Sequence, residues 1–191
     1  MPLATRDNRA GSAELLRPLP GRRQDRTLAL VVASFAPALL GLAVIVPLHL
    51  LLVIRGRYEV IPSVWHLLQG PLTLLGACLL GIMVAHWTAA RGAAAISLVV
   101  MIAVNVWLAG LHNGKYFGPY MSWTIWTGSD PGQWAGTFPG SPMWHVVYLA
   151  GLCALAAAGA VLRVADRRWI VVMAGWAALG VTAIGGVGQL P

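Results

Sequence analysis

From Thr27 to Ile54 the chain reads TLALVVASFAPALLGLAVIVPLHLLLVI, 28 residues without one charged side chain. Coiled as an α-helix, that run reaches about 42 Å, well beyond the roughly 30 Å hydrocarbon core of a bilayer. The run therefore predicts a membrane-spanning helix that tilts, kinks or protrudes. Pro37 and Pro47 each lack a backbone donor, so kinks are expected there. It is also far longer than the roughly 7 to 15 apolar residues of a signal peptide's middle region, which predicts an uncleaved first span. The twin pair Arg22-Arg23 is followed by Gln24 and Asp25 instead of an apolar residue.

Composition extends this reading to the whole chain. Of the 191 residues 58% are hydrophobic and 10% are charged, against about 25% charged in a soluble domain. An all-α, polytopic helical membrane protein follows. The net charge of +7 does not indicate nucleic acid, because the arginines cluster at the ends of apolar runs instead of forming one solvated basic face. Cys78 and Cys153 both sit within apolar runs and read as small packing residues, not as a disulfide framework.

Four more spans follow. Leu67 to Ala89 is the second, with Gly70-Pro71 suited to a helix start, and about Gly92 to Leu111 is the third. Met143 to Leu162 is the fourth, where Ser141 can cap the first free amides and Pro142 occupies a position at which a missing N–H costs nothing. The fifth runs from Trp169 to about Leu190 after the turn RVADRR, with Asp166 as its expected cap. The expected organisation is a basic tail over 1–26 and a five-span domain over 27–191.

Five spans put the chain ends on opposite sides. With the N-terminus inside, ten cationic residues (Arg6, Arg9, Arg17, Arg22, Arg23, Arg26, Arg91, Arg163, Arg167, Arg168) lie inside and three (Arg55, Arg57, Lys115) outside. That asymmetry predicts an N-in, C-out protein of the cell membrane. The connection over 112–142 is then an outer loop rich in tryptophan, long enough that a functional role is expected. If Pro119 opens a helical turn, Tyr116, Tyr120 and Trp123 share one face, with Trp126 a turn further on. Trp123, Trp126, Trp134 and Trp144 can form an aromatic belt at the headgroups, cover a substrate path, or offer a sugar platform.

Candidate site residues are few. Asn105 lies inside the third span, where an amide is costly unless it meets a neighbouring helix or lines a path. His49, His66, His112 and His145 fall near the outer side, and with Met121 and Met143 they could hold copper or, on paired spans, haem. Each histidine lies on a different segment, so ordinary interfacial histidines are the competing reading. No Asp, Glu, Lys or Arg lies mid-span, which argues against a proton-coupled transporter. Ala150, Ala154 and Ala158, and likewise Ala174 and Ala178, repeat every four positions and would let helices approach within the chain or across a dimer. No nucleophile motif, P-loop, dinucleotide fingerprint or HExxH occurs, so neither an enzyme nor a resident cofactor is expected.

SPMWHVVYLAGLCALAAAGAVLR (Ser141 to Arg163), the basic turn after it and the ending GGVGQLP (Gly185 to Pro191) resemble the C-terminal spans of ABC-2-type permease-like membrane proteins of high-GC Gram-positive bacteria. The resemblance implies a non-catalytic membrane subunit of an ABC exporter that partners with a separate ATPase, usually as a homo- or hetero-dimer. Arg91, Arg163, Arg167 and Arg168 would then meet the ATPase, and substrate would pass near Asn105 and beneath Trp123, Trp126 and Trp134. Two other readings stay open: an accessory oxidoreductase subunit using the outer histidines, and a structural or assembly protein with no ligand.

Overall fold

The computed structural model describes residues 22–57, 63–88, 92–110 and 141–189. All of the regular structure among them is helical: α1 (Arg23–Ala33), α2 (Phe35–Ile54), α3 (Val64–Trp87), α4 (Ala93–Gly110), α5 (Pro142–Leu162) and α6 (Arg168–Gly188). The α1–α2 rod, α3, α5 and α6 are each long and apolar enough to cross a membrane, and α4 adds an apolar stretch, Ala95–Trp107. The basic tail before Arg22, Arg91, and residues 111–140 with His112, Trp123, Trp126 and Trp134 lie outside the described residues.

The first span does break, one turn before Pro37. α1 ends at Ala33 and α2 begins at Phe35, with Ser34 between them. Pro37 has no N–H for the Ala33 carbonyl four residues back, and its ring crowds that oxygen. The Ser34 hydroxyl turns back onto the Val31 carbonyl at 2.6 Å. Pro47, by contrast, is carried inside α2. The second span starts at Val64, not at Gly70-Pro71, and Pro71 lies buried within α3. Ser141 and Pro142 occupy the expected positions at the start of α5, but the serine side chain makes no capping bond. Asp166 does not cap α6 either, whose cap position is Arg167. Its carboxylate instead accepts from Arg22 Nη1 at 3.2 Å, joining the start of α1 to the α5–α6 turn.

Helix α5 is the centre of the bundle and packs against α6, α3 and α1, while α3 also carries α2 and α4. Cys153 Sγ meets the Leu72 carbonyl at 3.4 Å, and Trp87 Nε1 donates to the Gly159 carbonyl at 2.7 Å. These two points rise together along both chains, so α3 and α5 run parallel. Their shared core joins Leu75 and Leu79 to Cys153 and Ala156, with Ala38 from α2.

Glycines, not the expected alanines, bring α5 and α6 together. A Cβ on Gly151 would lie 2.7 Å from Thr182 N, and one on Gly185 would lie 2.5 Å from Tyr148 N. Ala150, Ala154 and Ala174 are exposed, and only Ala178 of the two stripes is buried. The outward face of the bundle is apolar: Leu40, Val44 and Ile54 on α2, Ile96 and Val99 on α4, and Ile184 and Val187 on α6 are all at least 60% exposed. That coat would be untenable in water and is the surface a hydrocarbon solvent requires.

Candidate functional site

The bundle has two unlike ends. At one lie Arg22, Arg23, Arg26, Arg163, Arg167 and Arg168. At the other lie His49, His66 and His145, with exposed Trp65 and Trp107 and half-buried Trp144 at the helix ends. Trp87 and Trp169 stand exposed at the arginine end. Indoles thus stand near both ends, as in aromatic belts, although Trp176 is exposed midway along α6, and the Trp144 ring lies against Gly188 of α6.

At the histidine end each of five helices contributes a buried polar side chain: His49 from α2, Gln69 from α3, Asn105 from α4 and His145 from α5, with Gln189 directly after α6. All five lie within about a turn and a half of that end of their helices. Repetition on every rod at one level separates this feature from a stray polar residue in an apolar helix.

His145 is its most completely enclosed member, with 0% of its surface exposed. Pro142 starts α5 and the backbone N–H of His145 donates to the Ser141 carbonyl at 3.2 Å, which fixes the ring one turn inside the helix. The close glycine approach at Gly185 and Gly188 then brings the end of α6 alongside, and His145 Nδ1 lies 2.8 Å from Gln189 Oε1. An amide oxygen only accepts, so Nδ1 carries the proton and the Nε2 of a neutral ring holds a lone pair. The Tyr148 ring stacks at a tilt, 5.9 Å from the imidazole.

Gln69, 1% exposed, lies on α3 one turn before Leu72, at the depth of Leu149 on the parallel α5. Its Nε2 has no hydrogen-bond partner among the described residues. Thr73 donates to the Gln69 carbonyl at 2.8 Å. Asn105 is buried as expected for its place in α4, with Nδ2 donating to the Met101 carbonyl at 2.8 Å within its own helix. His66 is held by the Ser63 hydroxyl at 2.8 Å on Nδ1.

The buried polar groups at this end are amides, imidazoles and a phenol, while Arg55 and Arg57 stand exposed just beyond α2. Among the described residues no three His, Cys, Asp or Glu side chains converge to hold a metal ion. What these buried groups share is directional hydrogen bonding in a low-dielectric setting, which selects shape and polarity. Gln69 and Gln189 escaped the sequence reading, and Tyr148, which with Trp144 reads from the sequence as an interfacial anchor, is buried beside His145. The signal that singled out Asn105, an amide in an apolar run, was present for both glutamines, but each sits close to a span boundary where polar residues are commonplace.

The arginine end is built by hydrogen bonds between distant segments. His86 Nε2 pairs with the Thr27 hydroxyl at 2.9 Å, tying α3 to α1, and its Nδ1 lies 3.0 Å from the Ile82 carbonyl. Arg163 Nη1 donates to the His86 carbonyl, and the backbone N–H of Asp166 donates to Gln24 Oε1 at 3.1 Å. Together with the Arg22–Asp166 pair, these bonds hold the α5–α6 turn against α1 and α3, with Arg167 and Arg168 exposed on it. Comparison of the chain with protein-family models, with curated proteins and with solved structures finds no match in any of the three.

Proposed function

We propose that the chain is a non-catalytic, permease-like subunit of an ABC-type exporter in the cell membrane, driven by a separate ATPase that meets its arginine end. The observation that carries this reading is the tethered α5–α6 turn. Arg163 is bonded to α3, Asp166 is bonded to α1, and Arg167 and Arg168 project from a turn held on both sides. A membrane subunit that receives force from a soluble motor needs such a stiff, charged contact, whereas a lipid-facing structural protein does not. The excess of arginine supports placing this end inside the cell. The buried polar residues at the opposite end, Asn105 among them, then belong to the substrate's route.

The test is co-expression with an ATPase subunit of the exporter class, taken from the neighbouring reading frames where one is found, followed by purification in mild detergent. The two proteins should co-purify, and Arg167→Glu with Arg168→Glu should abolish the association while the membrane subunit keeps its thermal stability. Recovery of the subunit without any ATPase sinks the proposal.

One observation favours a second reading, an oxidoreductase subunit holding copper or haem. His145 Nδ1 faces an amide oxygen, the way metal-ligating imidazoles are usually oriented. Metal content and an absorption spectrum of the purified protein decide it, and a colourless, metal-free protein retires it.

A further inference from the structure

Helix α3 is held unequally along its length. From Leu72 onward it is tied to its neighbours: the Cys153 thiol donates to the Leu72 carbonyl at 3.4 Å, and Trp87 donates to the Gly159 carbonyl at 2.7 Å. A Cβ on Gly41 of α2 would lie 2.9 Å from Leu74 Cδ1, and Leu75 and Leu79 belong to the shared core. Before Gln69 the same helix buries no side chain. Val64 and Trp65 are exposed, and His66, Leu67 and Leu68 are half-buried. A segment with so few buried apolar contacts belongs to the low end of local stability.

The joint between these two parts is weak in its backbone. Pro71 lies inside the helix and has no N–H to offer the Leu67 carbonyl four residues back. Gly70, just before it, carries the entropy cost of a glycine within a helix. The Thr73 hydroxyl donates to the Gln69 carbonyl at 2.8 Å, a back-bond of the kind that bends helices. At this same joint Gln69 is 1% exposed, and its Nε2 has no hydrogen-bond partner among the described residues. The desolvation of that donor is uncompensated, so any motion that brings it to an acceptor is favoured.

We infer that Gly70-Pro71 is a hinge, and that the end of α3 before it, Val64 to Gln69, swings as a gate over the buried polar cluster of the histidine end. Ordinary fraying of a helix terminus runs through exposed residues and stops at the first buried one. Here the first buried residue is the one that gains by leaving, because outside the bundle the Gln69 amide meets water or an acceptor atom of a passing molecule. The hinge proline is itself buried, so the fixed part of the helix begins at it. His145 lies on the side of α5 that Leu149, Cys153 and Ala156 turn toward α3, two turns before the Cys153 contact. Movement of the α3 end therefore opens a way to the enclosed His145 and Gln189 pair. Use of the gate in transport rests on the exporter reading, whereas the hinge does not.

The experiment is hydrogen–deuterium exchange of the full chain in phosphatidylcholine nanodiscs, without any ATPase, read amide by amide along α3. The amides of Leu68, Gln69 and Gly70 bond within the helix, so they exchange through opening. They should exchange at least about tenfold faster than those of Leu75 to Leu79. Pro71→Ala supplies the missing donor and should slow Leu68 to Gly70 by about fivefold. Gln69→Leu removes the unpaired donor, keeps the bulk, and should slow the same amides by a similar factor. Protection of Leu68 to Gly70 equal to that of Leu75 to Leu79 overturns the hinge. Unchanged exchange in either folded variant reduces the motion to end fraying and also overturns it; should Pro71→Ala not fold, Gln69→Leu carries the same decision. With no ATPase present, failure here leaves the exporter reading standing, and failure of an ATPase to co-purify leaves the hinge standing without that use.

Discussion

A single hydrogen bond donor sets the character of the histidine end. Gln69 Nε2 is buried without a partner among the described residues, and burying such a group costs about 1 to 3 kcal/mol. Gln69→Leu should therefore raise the unfolding temperature in detergent, in line with about 1 kcal/mol of added stability. If the amide serves substrate passage, transport should fall in the same protein, and a drop in stability would show instead that the amide is bonded. Gly185 gives the opposite case. A methyl group there meets backbone atoms of Tyr148 at 2.5 and 2.8 Å, so α6 must shift outward and Gly185→Ala should cost about 1 to 3 kcal/mol. Gly180→Ala, which meets nothing within 4 Å, should be neutral or gain up to about 1 kcal/mol from helix propensity. Equal thermal shifts for the two glycines would mean that the close helix approach is absent in solution.

Residue-level legibility followed chemical cost. Asn105 and His145 stood out because an amide or imidazole in an apolar run needs a reason. Of the alanine stripes only Ala178 is buried within the chain, since a small residue permits close approach without requiring it. Gly151 and Gly185 are the positions where a side chain would collide, and that depends on the partner helix, which no local pattern reveals. Asp166 was expected to cap α6 because it precedes that helix. Its actual partner, Arg22, is remote in sequence, and proximity of that kind is invisible to spacing arguments.

At the scale of elements, hydropathy located the four helices long and apolar enough to cross a membrane and the shorter apolar stretch of α4, because a lipid-facing helix must be apolar throughout, whatever its neighbours. Helix ends were harder. α3 begins before Gly70-Pro71 because the proline sits within its second turn, where neighbouring helices absorb the missing donor. The break at Ser34 gives a direct test. Ser34 itself keeps helical dihedrals and its N–H still donates to the Leu30 carbonyl, and Pro37→Ala restores the one donor missing at the Ala33 carbonyl. Spin labels at Leu28 and Leu48 should therefore lie near the roughly 30 Å of a continuous helix with either residue, measured by pulsed electron resonance. A clearly shorter distance with Pro37 would show that the chain bends at Ser34. For the tryptophans of the 112–142 connection, Trp123→Ala with Trp126→Ala should impair transport and leave membrane insertion intact. Lost insertion would make them anchors.

For the whole molecule, six arginines at one end against Arg55 and Arg57 at the other, among the described residues, fix what its orientation must be if the inside rule holds. In a Cys78→Ala, Cys153→Ala background, Ser63→Cys should react with an impermeant maleimide added to intact cells, and Asp166→Cys should react only after the cells are opened. The reverse pattern would invert the topology and remove the ATPase from the arginine end. The ladder of contacts from α2 through α3 to α5 and α6 was not legible in advance, because five apolar rods of similar composition can be ordered in many ways and shape alone chooses among them.

The central place of α5 has a consequence for how the protein is made. A ribosome delivers α1 to α4 into the bilayer first, yet α3 finds its main partner, and α1 its tether at Asp166, only in the final 50 residues of the chain. Arg22 and Asp166 are separated by 144 positions. Until α5 arrives, the buried faces of α1 and α3 stand open to lipid and to quality-control proteases. The biogenesis of this membrane protein is therefore a waiting problem, and a nascent chain stalled before Pro142 should be cleared far faster than one stalled after α6 has been made.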